Sequence, residues 1–354
     1  MDRRTFLKSS TAAAAISAGA APATPSYRPP ITDPAKLAAA RHQWRIAPPT
    51  DTALRDAAIR LASRIETASA GQIACEWLGM TDGAGQAAFA CGACNAAFGL
   101  APDLLRAPYI ALFTGLPAGL GLPPQDLLAW HTIAGGGALL DDAALRIGVK
   151  VLIAGHSGSA PGLWASGDVT DLRAFAGAAI TATGLGAAVV KRIGAPYDQA
   201  PAPGATRLTE RPADPVAALA QARSDGDTTW FQDGLHDHGI ARTLVLSRAT
   251  WENLDDGLAT LVESIAIAET QASIAAAAYH RRAVLPKLVE SGALIPGSLP
   301  GIVRTAIDRA AAETVAEVLG AAPKLEAARA AYDAFRRDMI GDGRQLPPPA
   351  AVLG

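Results

Sequence analysis

The run Gly155-His156-Ser157-Gly158-Ser159 places a serine just beyond an apolar stretch, 149–154, that reads as a strand. A serine on a sharp turn after a strand is where acyl-transfer nucleophiles sit. That chemistry asks for G-x-S-x-G, so that the backbone can turn tightly, and position 159 is serine instead. It also asks for a histidine base late in the chain, after an acid. His280 is late enough, but Arg281 and Arg282 beside it mark a solvated helix face. A serine-dependent hydrolase centred on Ser157 is therefore an alternative reading only.

His236-Asp237-His238 offers a second chemistry. On a strand the two histidines would share a face, as metal ligands must, with Asp237 opposite. No third ligand stands at a suitable spacing, so the segment reads as a polar surface loop, and a periplasmic metal-dependent hydrolase at this pair is, like the serine one, an alternative reading only. Cys91-Gly92-Ala93-Cys94 is a C-x-x-C with neither a second pair nor a downstream histidine pair. In an oxidising compartment these thiols and Cys75 read as a Cys75 disulfide with one of the pair, or as buried thiols. Large rings are scarce, which makes Trp164, Trp230, Phe231 and Trp251 candidate ligand shelves. Core packing is the competing reading, and the better one for Trp251 inside a helix start.

Compartment follows from the first residues. Arg3-Arg4-Thr5-Phe6-Leu7-Lys8, a short alanine-rich stretch over 12–21 and Ala21-Pro22-Ala23 form a twin-arginine export signal with a small-residue cleavage site after Ala23. The expected organisation is a signal over 1–23, a binding protein over 24–340 and a proline-rich tail over 341–354. No later stretch is long and apolar enough to span a bilayer without charges or breakers. Half of the 354 residues are hydrophobic, with 34 Gly and 25 Pro, enough chain for two lobes. Removing Asp2, Arg3, Arg4 and Lys8 takes the net charge from −2 to about −4. Neither sign dominates, which argues against nucleic acid or anionic membrane as partners.

The elements that must position these residues alternate. Strands are expected at 43–47, 73–78, 109–113 and 149–154, and helices at 51–70, 83–98, 123–132 and 139–145. The 51–70 helix shows Leu54, Ala58, Leu61 and Ile65 on one face. Such alternation predicts an α/β chain with two interleaved lobes, largely parallel sheets and ligands near strand ends. A long helix over 256–282, with Leu258, Leu261, Val262, Ile265, Ala268, Ala272, Ala276 and Tyr279 at helical spacing, is long enough to bridge the lobes. Helices over 298–319 and 323–339 follow.

Several motifs then recur in a familiar order. They are Gly155 to Trp164 (GHSGSAPGLW), Asp171-Leu172-Arg173, Gly184 to Val189 (GLGAAV) and Ile193-Gly194-Ala195. Upstream stands Ala111 to Gly119 (ALFTGLPAG), and downstream Gly239 to Trp251 (GIARTLVLSRATW). From about 44 to 339 the chain resembles the solute-binding proteins of TRAP (tripartite ATP-independent periplasmic) transporters, the DctP-like family. The matched family patterns are GxTGxQxGGW, D-L-K-G-L, G-L-G-x-x-V ending in L-G-A, A-L-F-T-A-V-P-F-G and G-x-x-x-x-L-x-x-N-K-x-x-W. The resemblance implies a two-lobed periplasmic receptor, hinged on two strands and the long helix. It would bind without catalysis and deliver a small molecule to membrane permease subunits.

The resemblance also places the ligand groups. The family's turn glutamine falls on Ala160 and its carboxylate-gripping arginine on Thr181. Its Glu-Trp pair, which helps hold sodium or another cation in some members, falls on Thr229-Trp230. Its later glutamate falls on Asp237 and its asparagine on Ser247. With Trp164, the implied ligand positions are Ala160, Trp164, Thr181, Thr229, Trp230 and Asp237, and the implied cation positions are Thr229, Trp230 and Asp237. Between Trp230 and Gly234 the chain is shorter than the family. Threonine supplies neither the charge nor the rigid fork by which arginine grips a carboxylate. A hard cation wants several oxygens, and most are gone. The expected ligand is therefore more neutral than the family's organic anion with sodium; a receptor that has lost transport for an interaction role is a further alternative.

Overall fold

The computed structural model describes residues 34–47, 49, 52–78, 89, 92–159, 162–195, 206–211, 215–227 and 229–340. The expected signal (1–23), the tail (341–354), Ala160 and Cys91 lie outside them. Ten strands occur among the described residues: β1 (His42–Ala47), β2 (Ile73–Trp77), β3 (Ala96–Gly99), β4 (Val149–His156), β5 (Leu163–Ala165), β6 (Ala179–Thr181), β7 (Arg207–Glu210), β8 (Thr229–Phe231), β9 (Ala241–Ser247) and β10 (Ile295–Gly297). They form two sheets, ordered β2-β1-β3-β9-β4 and β10-β8-β5-β7-β6. The chain leaves the first sheet at β4, enters the second at β5, and returns from β8 to β9. Two lobes thus share two crossovers, within one compact unit over residues 32–354.

Each sheet is mixed rather than largely parallel. β1 runs parallel to β2 and β3, but β9 is antiparallel to both β3 and β4. In the second sheet β5 is antiparallel to β7 and β8. The reason is the return crossover, which brings β9 back in the reverse direction.

The first sheet is covered on both faces. On one, Trp44, Ile46, Leu152, Leu244 and Leu246 pack with Leu61, Ile65 and Val262, from the helices Thr52–Ala68 and Asp256–Tyr279. On the other, Val151, Ala241 and Val245 pack with Phe113, Trp130, Leu185 and Tyr332. Phe113 stacks on Trp130 at 5.5 Å and Tyr332 meets that indole edge-on at 5.0 Å. Burying a large apolar side chain contributes about 1.5–3 kcal/mol. The second lobe has its own core, in which Leu163, Phe175, Ile180, Leu208 and Phe231 pack with Val303 and Ile307 of the helix Gly301–Gly320.

Three local expectations are corrected. Residues 109–113 are helical turns (Pro108–Ile110, then Ala111–Thr114), because a short buried apolar run after a proline carries no period that separates strand from helix. Residues 96–98 of the expected 83–98 helix belong to β3, whose four residues are all buried. In the long helix the buried stripe runs through Leu258, Val262, Ala266, Glu269, Thr270 and Ile274, whereas Ala268, Ala272, Ala276 and Tyr279 are exposed. Polar residues take the inside track there because partners await them: Arg60 and Arg64 for Glu269, and the Ile153 carbonyl for Thr270. The helix does bridge the lobes, continuing through a π-turn at His280–Val284 into Leu285–Glu290, where Leu285 packs with Trp164 and Trp230.

Candidate functional site

The helix Leu185–Ile193 begins at Gly184, whose φ of 52° and ψ of −134° suit glycine and whose missing side chain leaves the helix uncapped. The cap comes from the other lobe. Asp103, on the short helix Ala101–Leu104, accepts the Gly184 N–H through Oδ2 at 3.1 Å. A carboxylate there meets the orphan N–H groups and the positive end of the helix dipole, the place an anionic ligand would otherwise take. Burial pushes the Asp103 carboxyl above the usual range; the Gly184 N–H and His236 pull it back, and Glu210 pushes it further up.

One residue earlier, Thr183 donates through Oγ1 to Glu210 Oε2 at 3.0 Å. His236 Nδ1 donates to the other oxygen, Oε1, at 2.9 Å, and both side chains of this pair are wholly buried. Gly186 makes room, since a Cβ would lie 3.0 Å from His236 Cε1. His236 is therefore part of the lobe junction, not of a surface loop. Glu210 answers its Nδ1, while Nε2 is buried with no hydrogen-bond partner among the described residues.

The crossover beside it is clasped by serines. Ser157 Oγ accepts the Ile240 N–H at 2.8 Å and is turned towards the Gly158 carbonyl, while Ser157 N donates to Ile240 O. Gly239, at φ +77°, lies so close that a Cβ would meet Ser157 Oγ at 2.5 Å. Ser157 is buried and its hydroxyl is engaged in joining β4 to β9. His156 Nδ1 accepts the Gly158 N–H at 3.0 Å. Burial, with Arg242 and His238 adding, pushes its pKa down to about 3, so the ring is neutral with its proton on Nε2.

The sheet register sorts the residues singled out in the sequence. Thr181 pairs with Thr209, Thr209 with Trp164, Trp164 with Trp230 and Trp230 with Pro296. Directly paired residues share a face, so Thr181, Trp164 and Trp230 lie in one row. The indoles, 6.3 Å apart and tilted by 38°, are covered by Ala218, Leu219, Ala222 and Leu285, while Thr181 on the edge strand is exposed. Thr229 pairs with Ala165 and so faces the opposite side. Asp237 lies in the following loop, gripped by Arg304 through both oxygens (Nη1–Oδ1 2.7 Å, and Nη2–Oδ2). Ser247 caps the short helix Arg248–Glu252, and Lys150 sits 4.9 Å over the Trp251 ring.

These positions do not fit a cation cage. Thr229 faces the side of the sheet opposite Trp230, Asp237 is neutralised by a guanidinium, and among the described residues no three His, Cys, Asp or Glu side chains form a group that could hold a metal ion. Cys75 and Cys94 are both buried, Cys75 as a free thiol that burial raises well above its ordinary value, with Glu66 adding.

Sequence reasoning passed over Asp103, Thr183, Glu210, Arg60 and Arg242. Glu210 had left a trace: in Arg207-Leu208-Thr209-Glu210 it shares a face with Leu208, so it points inward with a core leucine.

No protein-family model matches the chain. No curated protein matches it. Solved structures do. A TRAP transporter solute-binding protein from Bordetella bronchiseptica RB50, with copurified calcium and picolinate in one site of a mixed-occupancy dimer, superposes with a TM-score of 0.73 at 18% identity, over 85% of this chain and 93% of that one. A TRAP periplasmic solute-binding protein from Colwellia psychrerythraea with bound calcium and pyruvate gives 0.67 at 16%, over 84% and 97%. Another from Chromohalobacter salexigens, with bound (S)-(+)-2-amino-1-propanol, gives 0.67 at 14%, over 86% and 98%. The chain has the fold of the TRAP periplasmic solute-binding proteins.

Proposed function

We propose that the chain is a divergent TRAP-type solute receptor, exported by its twin-arginine signal over 1–23 and active in the periplasm as residues 24–340 with a tail over 341–354. It captures a small molecule between its lobes, does not turn it over, and presents it to TRAP permease subunits. The observation that carries this reading is the pair of sheets joined by two crossovers and one bridging helix, shared with neighbours that hold small molecules. Closure between such lobes is how this class of architecture encloses a ligand. We place the ligand between the lobes at the positions the resemblance assigns, Ala160, Trp164, Thr181, Thr229, Trp230 and Asp237. Of these, Trp164 and Trp230 lie under Ala218, Leu219, Ala222 and Leu285 and would need that cover to move.

The ligand class follows from charge. Thr181 cannot fork a carboxylate, and Asp103 already sets one at the helix N-terminus the ligand would use. A neutral, hydroxylated solute suits that junction better than an organic acid with sodium. Native mass spectrometry of the mature protein, followed by thermal-shift titration of what co-purifies, tests this. Release of a neutral small molecule that raises Tm and is recovered unchanged is the expected result. A dicarboxylate with sodium would overturn the ligand class, and chemical conversion of the bound molecule would overturn the receptor reading.

A further inference from the structure

The helix Gly301–Gly320 serves both cores. Val303 and Ile307 belong to the core of the second lobe, Val315 and Leu319 to that of the first. Beside its second half a cavity of about 220 Å³ opens against the helix Glu326–Ile340 and the segment 112–120. The segment supplies Leu112, Leu116 and Leu120, and the longer helix Val315 and Leu319, so the walls are aliphatic. At about 30 Å³ for each water-sized unit, the space suits a molecule of roughly seven to nine non-hydrogen atoms.

The helix Glu326–Ile340 brings the polar groups. Arg329, Tyr332, Asp333 and Arg336 stand at i, i+3, i+4 and i+7, which puts all four on the face that lines the cavity. Tyr332 donates through its hydroxyl to the Leu120 carbonyl at 3.0 Å, and burial raises its pKa, so the phenol stays protonated. Arg336 donates through Nη2 to the Gly119 carbonyl at 2.7 Å. Its Nε is buried with no hydrogen-bond partner among the described residues. Arg329 meets Asp333 through Nε at 3.8 Å, with both side chains about half exposed. Two guanidiniums therefore face one carboxylate, and Arg336, the less exposed of the two, is the one without it. A guanidinium with an unanswered donor beside aliphatic walls calls for a guest with a charged end and an apolar body.

The geometry points to a binding site here for a small monocarboxylic acid, its carboxylate on Arg336 and its apolar body between Leu116, Leu120 and Val315. The site is separate from the solute site between the lobes. The turn it rests on abuts the return crossover: a Cβ at Gly119 would lie 3.8 Å from Asp237 Oδ2, and one at Gly121 would lie 3.7 Å from His238 Cβ. A guest in the cavity thus presses on a turn that touches the connection between β8 and β9.

Isothermal titration of the full-length protein with hexanoate and benzoate tests the site, with hexanamide and acetate for comparison. Saturable binding of one equivalent of at least one of the two acids is expected. A tighter hexanoate assigns a flexible aliphatic guest, and a tighter benzoate a planar one. Hexanamide keeps the body without the charge and should bind about tenfold more weakly, the loss of one charge-assisted contact. Acetate lacks four methylenes and should bind more than about a hundredfold more weakly. Ala316 lines the cavity from an exposed position, so Ala316→Phe should fill the space, leave both cores intact and abolish binding. Arg336→Gln should weaken binding about tenfold, and Arg336→Lys, which keeps the charge but not the fork, should recover only part. No saturable binding of either acid, equal binding of hexanamide, or undiminished binding in Ala316→Phe would each overturn the proposal. A small molecule that co-purifies between the lobes should stay bound in Ala316→Phe, so failure here is distinguishable from failure of the receptor reading.

Discussion

The two faces of the first sheet treat charge by opposite rules where they meet the crossovers. On the side where Leu185 packs with Ala241 and Val245, the polar groups are carboxylates, Asp103 and Glu210, and each is answered from within the chain by Gly184, Thr183 or His236. On the side of the bridging helix, Arg60 and Arg242 line a cavity, and Arg60 and Arg64 meet the buried Glu269. His156 Nε2 is buried there without a hydrogen-bond partner, as His236 Nε2 is at the junction. The difference teaches that polarity alone does not mark a ligand site. A buried cluster whose carboxylates are answered from within the chain fixes how two lobes sit together without needing a ligand.

The harshest way to break this contrast is to unpair the junction. His236→Ala should leave the Glu210 carboxylate buried without its main partner, costing about 3–5 kcal/mol in urea unfolding. A loss below about 1 kcal/mol would mean that the pair is not a structural clasp. The cavity side should show itself next, in pH dependence. The unfolded His156 protonates near pH 6.5, while in the fold its pKa is down to about 3. Its contribution is therefore full above 6.5 and is lost as pH falls towards 3, by about 3 kcal/mol at pH 4. His156→Asn, which keeps an acceptor for the Gly158 N–H, should flatten the stability profile over that window; an unchanged slope would show that the imidazole titrates normally.

The smallest effect is expected at Asp103, where the pKa is raised. Its contribution is complete below the unfolded carboxyl pKa and declines as pH rises through the folded value. Asp103→Asn, which mimics the protonated form, should shift unfolding free energy by less than about 1 kcal/mol at neutral pH and remove that decline. A loss as large as that of His236→Ala would make the inter-lobe cap the dominant contact and reverse the ranking.

Much of this was legible in sequence, and the failures have physical causes. Glycine turns and the apolar stripe of Thr52–Ala68 are local, and they appear where spacing put them; the Asp171 cap is as local. Asp171 accepts the Ala174 N–H at 2.7 Å, and Gly194 ends its helix at φ 90°. The bridging helix was legible in extent but not in facing, because alanine is content on either side and the deciding contacts come from Arg60 and Arg64, far away in sequence. His236 was misread for the same reason. A histidine between a leucine and an aspartate looks solvated until Glu210, 26 residues earlier, is brought within 2.9 Å. Trp164 and Trp230 were each singled out, yet only the register puts them in one row with Thr181 and turns Thr229 away.

The return of β9 to a place between β3 and β4 has a consequence for the order in which this molecule can assemble. β4 borders only β9 in its sheet, so it has no strand partner until residues 241–247 have been synthesised. By then β5 to β8 are already made, but their sheet still lacks β10, some fifty residues further on. Neither lobe can finish as an N-terminal piece of a growing chain. Both must complete late and together, through contacts between distant residues, which makes folding slow. It follows that a truncated chain ending anywhere before β10 should yield neither half, rather than one good half and one poor one.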